Sequence, residues 1–149
     1  MRPAPADIER AIVGLIDARV TEEPLGVVAR VSLADVVEAL EALKVAGYES
    51  LVDFDGTDTG ELIELTYRLR SYALDLEVYV KAPVSYGGTI ASIWHEYPSA
   101  LMPERETAEL FGLHLAGHPN PKRLLTTDGV APLLRKDVLI RTVEEVRDR

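Results

Sequence analysis

The sequence predicts an α+β domain in which two helices pack on one face of a small, largely antiparallel mixed sheet, followed by an extended proline-containing C-terminal arm. Three observations predict this class. Two segments near the N-terminus repeat apolar residues at helical spacing, two later segments alternate apolar and polar residues, and no period is visible after residue 117. The element order is therefore α-β-α-β-β-β, within a length of 149 residues that suits one domain.

The helices are predicted from apolar stripes. The first covers residues 5–20 and the second covers residues 33–46. Ser32 stands where it could cap the second helix, and Gly47 follows that helix as a stop signal. The short apolar run at residues 25–31, between the two helices, is predicted to be a strand.

Three more strands follow the second helix. Residues 48–54 are apolar and bounded by polar residues, and residues 55–60 are rich in Asp, Thr and Gly, which is typical of a turn. Residues 61–72 and 73–81 alternate apolar and polar side chains, with opposite parity on either side of a short connection. This pattern predicts an antiparallel hairpin with one buried face.

A short third helix is predicted farther along the chain, where Pro103 is suited to the first helical turn. The helix runs to Phe111, and Gly112 ends it. Residues 117–137 then show no period and contain three prolines, which remove backbone donors. A stretch of this length without structure of its own is expected to lie against another protein.

These patterns divide the chain into two parts. Residues 1–116 are predicted to form the core domain, and residues 117–149 are predicted to form a C-terminal arm that binds a partner. The last part of the arm, residues 138–149, is charged and is predicted to close with a short helix.

The charge and the amino-acid content exclude several classes of function. The net charge is −9, and residues 1–65 hold all of the excess, with 14 acidic against 5 basic residues. Such a surface repels nucleic acid and anionic membranes. The sequence has no cysteine, so it offers no thiolate for a zinc ribbon or an iron–sulfur cluster. No apolar run approaches the roughly 20 residues that span a bilayer, so we expect a cytoplasmic protein without direct membrane insertion.

One local motif suggests an enzyme. Asp53 and Asp55 follow an apolar strand in the order Asp-Phe-Asp-Gly-Thr, which looks like the opening motif of magnesium-dependent, haloacid-dehalogenase-like phosphatases. In such an enzyme Asp53 would be the nucleophile and Asp55 the general acid and base. That family needs a parallel sheet, whereas two antiparallel strands are predicted here. The alternative interpretation is a turn made of turn-forming residues.

A second constellation lies in the third helix and the arm. It reads Glu-Arg-Glu-x-x-Glu-Leu-Phe-Gly, then Gly-His-Pro, then Lys-Arg, and it ends in Leu-Arg-Lys-Asp. Its members are Glu104, Arg105, Glu106, Glu109, Phe111, Gly112, Gly117, His118, Pro119, Lys122, Arg123, Leu134, Arg135, Lys136 and Asp137.

This constellation resembles the NADH dehydrogenase 30 kDa subunit family of respiratory complex I, and the related subunits of energy-converting membrane-bound hydrogenases. The resemblance covers about residues 48–138 and accounts for the Asp53 motif as a turn into a strand. Lys122 departs from the family, which usually has the first of two arginines at that place.

The resemblance implies a structural subunit with no catalytic, cofactor-binding or metal-binding residue of its own. It would dock, on the cytoplasmic side of the membrane, on the large quinone- or nickel-site subunit and beside the small iron–sulfur subunit. Iron–sulfur clusters, flavin or nickel would belong to the partners. The motif residues are then the expected partner interface. Among them, we expect Arg123, Arg135 and Lys136 to contact acidic groups of the large subunit.

Overall fold

The computed structural model describes residues 2–15 and 17–138. Within them, three α-helices and seven β-strands follow one another, with a 3₁₀ turn before each of the last two helices. In chain order these are α1 Pro5–Ala11, β1 Arg19–Glu23, β2 Gly26–Arg30, α2 Val36–Val45, β3 Ser50–Asp58, β4 Ile63–Ser71, β5 Leu76–Val84, β6 Thr89–Ala91, α3 Leu101–Phe111 and β7 His114–Ala116.

A five-stranded sheet organises the molecule, and its strand order is β1-β2-β5-β4-β3. The β2–β5 pair is parallel and the other three pairs are antiparallel, while β6 and β7 form a separate parallel pair. The predicted α+β class with a mixed, mostly antiparallel sheet is confirmed.

The hairpin of β4 and β5 has one buried face and one charged face. Leu65, Tyr67 and Val80 are buried in the apolar core, to which all three helices contribute side chains. On the opposite face, Glu64 accepts hydrogen bonds from Lys81, at 3.0 Å, and from Arg30 on the neighbouring β2, at 2.7 Å. The predicted alternation is therefore confirmed, because a two-residue period places successive side chains on opposite faces.

The first predicted helix is too long. α1 ends at Ala11, and the residues from Arg19 onward form β1, an edge strand that the sequence analysis missed. Ile12 and Leu15 still enter the core, which explains the apolar stripe. β1 pairs with β2 along its whole length, and this pairing outweighs the weak helical preference of a partly exposed segment.

The predicted turn at residues 55–60 is also wrong in part. β3 continues to Asp58, which pairs with Ile63, so the chain reverses only between Thr59 and Leu62. There the Thr59 hydroxyl donates to the Leu62 carbonyl at 3.1 Å. Tertiary pairing with β4 has overridden the turn-forming character of the preceding residues.

The ends of α2 and α3 show which capping predictions hold. Ser32 makes no side-chain cap, because a 3₁₀ turn, Leu33–Asp35, leads into α2 instead. Gly47 follows α2 with φ of +101°, as its role as a stop predicts. α3 begins at Leu101, so Pro103 lies in its first turn, and Gly112 ends it in the left-handed conformation.

Residues 117–138, the described part of the C-terminal arm, contain no helix or strand. The predicted helix at 138–149 lies outside the described residues apart from its first position. None of the helices within residues 2–15 and 17–138 has the length and apolar character to cross a membrane. The division of the chain at residue 116 stays a prediction.

Candidate partner interface on the third helix and the arm

The motif on α3 begins with a buried carboxylate. Glu104 accepts a hydrogen bond from the Ser92 hydroxyl at 2.6 Å and another from the Ile93 amide at 2.7 Å. Burial raises the pKa of Glu104 above its usual range, although these two bonds and the nearby His118 oppose the shift. The side chain thus joins the start of α3 to the loop that follows β6.

His118 fastens the beginning of the arm to α3. The Asn120 amide donates to His118 Nδ1 at 2.9 Å, so Nδ1 must carry a lone pair. The proton is then assigned to Nε2, which lies 2.8 Å from the Leu101 carbonyl oxygen and donates to it. Both ring nitrogens are therefore used by backbone groups, as expected of a structural histidine.

Glu109 holds the middle of the arm. Its carboxylate accepts from the amides of Leu124 at 3.1 Å, Leu125 at 2.5 Å and Thr126 at 3.3 Å, and also from the Thr126 hydroxyl at 3.1 Å. Burial opposes ionisation of Glu109, but the donors from Leu125, Thr126 and Leu124 together keep its pKa below the usual value. A buried carboxylate on α3 thus replaces the backbone partners that these arm amides lack.

Arg105 adds a second connection between α3 and the same stretch of the arm. Its guanidinium donates to the carbonyl oxygen of Lys122 at 2.7 Å and to that of Arg123 at 2.9 Å. Arg123 in turn donates to the Thr126 hydroxyl at 2.8 Å and to the Thr127 carbonyl at 3.2 Å. Both arginines therefore fix the path of the arm.

The far end of the described arm lies against the end of β3. The Lys136 amide donates to Asp58 at 2.7 Å, and Asp58 also accepts from the Tyr86 hydroxyl at 2.5 Å. This carboxylate raises the pKa of Tyr86 to about 12. Arg135 lies 4.4 Å above the Tyr86 ring and pairs with Asp137. The cation, the ring and the two carboxylates form one compact cluster.

Two motif residues act through their shape. The Phe111 ring lies so close to Gly56 that a Cβ there would approach two ring carbons to 3.0 Å. A Cβ on Gly112 would lie 2.6 Å from Pro132 of the arm, and its φ of +71° also favours glycine. The end of α3 is thus shaped to let β3 and the arm approach closely.

The structure brings the two halves of the motif together, since α3 and the arm are bonded along their length. Gly117 accepts from the Trp94 indole at 3.1 Å, while Glu106 and Pro119 are exposed or nearly so. Sequence analysis missed Ser92, Asp58 and Tyr86. No pattern could have linked Asp58 to Lys136, 78 positions later. The expected contacts to acidic groups of a partner stay a prediction.

The arm expected to lie against another protein lies, in its described part, against its own core. The sequence showed that residues 117–137 could not satisfy their own backbone, and this is correct as far as it goes. The missing partners come from the side chains of Glu109, Arg105 and Asp58. A surface for a partner must therefore be sought on the outer side of the arm.

The phosphatase interpretation of Asp53 and Asp55 is not supported. β3 is an edge strand in antiparallel pairing with β4, whereas that chemistry needs the end of a strand in a parallel sheet. Asp53 accepts from the Phe54 amide at 2.9 Å, and Asp55 accepts from the Gly56 amide at 2.7 Å. Both carboxylates thus serve the backbone of an edge strand, which protects it against pairing with another chain.

Comparison with known proteins gives the same family as the sequence motif. The family described as the respiratory-chain NADH dehydrogenase 30 kDa subunit matches residues 27–144. The homologous NADH-quinone oxidoreductase subunit of Dinoroseobacter shibae is 30% identical over 89% of this chain and 64% of its own length. That of Rhodobacter capsulatus is 32% identical over 89% and 66%. The chain spans between about half and two thirds of the length of the curated relatives it matches.

Two solved structures share the fold. The trypsin-resistant fragment of Nqo5 superposes with a TM-score of 0.67 at 22% identity, covering 76% of this chain and 95% of the fragment. A chain of the membrane-bound sulfane sulfur reductase, an archaeal respiratory membrane complex, superposes with a TM-score of 0.76 at 18% identity, covering 95% and 87%. At these identities the likeness is one of fold.

Proposed function

The chain belongs to the respiratory-chain NADH dehydrogenase 30 kDa subunit family, and from this membership we propose that it is a non-catalytic structural subunit of a complex I-like membrane-bound oxidoreductase. It would help to assemble the peripheral arm of that complex on the cytoplasmic side of the membrane. Its partners would be the large quinone- or nickel-site subunit and the small iron–sulfur subunit. These partners would carry out the electron transfer that is coupled to ion translocation.

The use of the motif's titratable side chains carries this proposal. Glu104, Glu109 and His118 are the groups on α3 and the arm that could serve as acid or base, and each bonds backbone groups of its own chain. A catalytic group needs its proton-accepting atom within reach of a substrate. These side chains instead hold α3 and the arm in one shape, which supports a structural role.

The proposal places the redox groups in the partner subunits. Protein-bound iron–sulfur clusters are held by cysteine thiolates, and the sequence contains no cysteine. The purified chain should therefore show iron, nickel and flavin at background level, by elemental analysis and by fluorescence after denaturation. Stoichiometric iron in a folded sample would contradict this part of the proposal.

The assembly role can be tested in the native host. The chain is tagged on the chromosome, the membranes are solubilised, and the tagged material is separated by native electrophoresis. We expect the tag to comigrate with the large subunit and the small iron–sulfur subunit, identified by mass spectrometry. Deletion of the chain should remove the assembled complex and its membrane-bound oxidoreductase activity. A tagged chain that migrates alone in membranes with a fully assembled complex would refute the proposal.

A further inference from the structure

Four side chains of the C-terminal arm lie exposed on its outer side: Lys122, Leu125, Leu134 and Lys136. Leu125 is 63% exposed and Leu134 is 50% exposed, although both are large and apolar. Each leucine stands two or three positions from one of the lysines. The arm thus presents two pairs, each made of a cation and an apolar side chain.

The backbone of the first pair is bonded to α3. The Lys122 carbonyl oxygen accepts from Arg105 at 2.7 Å, and the Leu125 amide donates to Glu109 at 2.5 Å. Glu109 is buried, and the amides on both sides of Leu125 bond to it as well. The position of the exposed pair is therefore fixed by groups that lie beneath it.

The backbone of the second pair is bonded to the core in the same way. The Leu134 amide donates to the Leu110 carbonyl at 3.0 Å, and the Lys136 amide donates to Asp58 at 2.7 Å. In both pairs, then, the residues with exposed side chains are the ones whose backbone the core holds. This arrangement presents the four side chains without the usual freedom of an irregular segment.

The cations of the arm divide into two kinds. The guanidinium groups of Arg123 and Arg135 bond acceptors within the chain. Within the part of the chain that the structure describes, the ammonium groups of Lys122 and Lys136 make neither a hydrogen bond nor an ion pair. The sequence analysis treated Arg123, Arg135 and Lys136 alike, whereas the structure separates internal cations from outward-facing ones.

We propose that these two lysine–leucine pairs form a preordered docking surface for an acidic and partly apolar surface of another protein subunit. The proposal rests on the proposed function and names the chemistry of that partner. Apolar anchors supply affinity at an interface, and complementary charge supplies register and speed of association. A surface that is ordered before binding loses less entropy when it binds.

A protein partner fits the charges better than a membrane does. The whole chain carries a net charge of −9, so an anionic bilayer would repel most of its surface. Segments that bind anionic lipids usually cluster about four to eight basic residues, whereas this surface has two lysines. An acidic protein patch that meets only this surface avoids that repulsion.

The experiment is a competition for a place in the native complex. Wild-type chain and a variant, carrying tags of different mass, are produced together in the native host, and their ratio in the purified complex is measured by mass spectrometry. We expect Lys122→Glu and Lys136→Glu each to lower the variant's share by about tenfold or more. Leu125→Ser and Leu134→Ser should lower it by about fivefold.

Matched controls separate this effect from general damage. Arg19→Glu makes the same change of charge at an exposed cation of β1, far along the chain from the arm. Leu25→Ser and Leu74→Ser remove leucines that are 49% and 53% exposed. All three should stay within about twofold of wild type. Thermal unfolding of every variant should match wild type, because the bonds that hold the arm use backbone atoms.

Photo-crosslinking identifies the occupant. With benzoylphenylalanine in place of Leu125, we expect a crosslink to an Asp- or Glu-containing peptide of another subunit, and none to that peptide from the same probe at position 74. A crosslink to residues 139–149 of the same chain, or to a second copy, would overturn the proposal. So would binding of the purified chain to phosphatidylglycerol vesicles that is lost on Lys122→Glu.

The outcomes also separate the two proposals. If wild-type chain is absent from the complex, the proposed function fails. If wild-type chain is present but the lysine variants compete as well as Arg19→Glu, the function stands and the docking surface is wrong.

Discussion

The connection between Glu109 and the arm gives the sharpest test of the structure. In a Glu109→Gln variant, one carboxylate oxygen becomes an amide nitrogen, which must face a backbone donor. With the nitrogen at the position of Oε1, the 2.5 Å bond from Leu125 is lost and only neutral bonds remain at Oε2. Hydrogen bonds to charged groups contribute about 1.5–3 kcal/mol, and neutral ones about 0.5–1.5 kcal/mol. Part of the loss is offset because a buried charge is removed, so the expected cost is about 2–3 kcal/mol.

The effect should be local, and hydrogen exchange of the full chain can measure it. A cost of about 2–3 kcal/mol corresponds to a fall in protection of about 30- to 150-fold, because about 1.4 kcal/mol is a factor of ten. We expect this fall at the amides of residues 124–126, while the amides of β4 and β5 change little. Glu106→Gln is the matched control, since Glu106 is exposed on the same helix, and it should cost less than about 0.5 kcal/mol.

The pH dependence follows from the sign of the shift. Because the pKa of Glu109 is lowered in the fold, its stabilising effect is fully present above the ordinary value of 4.5 and is lost as the pH falls below it. Wild-type protection at residues 124–126 should therefore approach that of Glu109→Gln in acid. The reasoning is refuted if the two variants lose protection equally, or if these amides are already unprotected in wild type at neutral pH.

Three further predictions concern the core. The raised pKa of Glu104 means that the fold binds more protons than the unfolded chain just above pH 4.5, so stability should fall there as the pH rises; urea unfolding of Glu104→Gln should lack this slope. Gly56→Ala should cost about 1–3 kcal/mol by crowding Phe111, whereas Gly14→Ala, with nothing within 4 Å, should be nearly neutral in thermal unfolding. Wild type and Asp53→Asn should both release no phosphate from an aryl phosphate with magnesium; release by wild type alone would revive the phosphatase interpretation.

The elements with a clear local period were predictable. The β4–β5 hairpin, α2 and the end of α3 at Gly112 all carry a pattern within a few residues of themselves. Burial of one face imposes such a pattern directly on the sequence. The motif on α3 and the arm was visible for another reason, since its residue types and spacing resemble a known family.

β1 and the extension of β3 were not predictable. β1 is partly exposed along its length, so no alternation marks it, and it forms only because β2 lies alongside. The last residues of β3 look like a turn and become a strand because β4 pairs with them. Preferences of short segments are weak compared with the hydrogen bonds that a neighbouring strand supplies.

By itself, the sequence determined the fold class, the family and the place of the motif. Only the tertiary structure decided what the motif residues do. Glu109 and Asp58 hold the arm against the core, and the same contacts leave Lys122 and Lys136 exposed. The reason is physical: the arm's backbone groups lack partners of their own, and which side chains satisfy them depends on packing between segments that lie up to 78 positions apart.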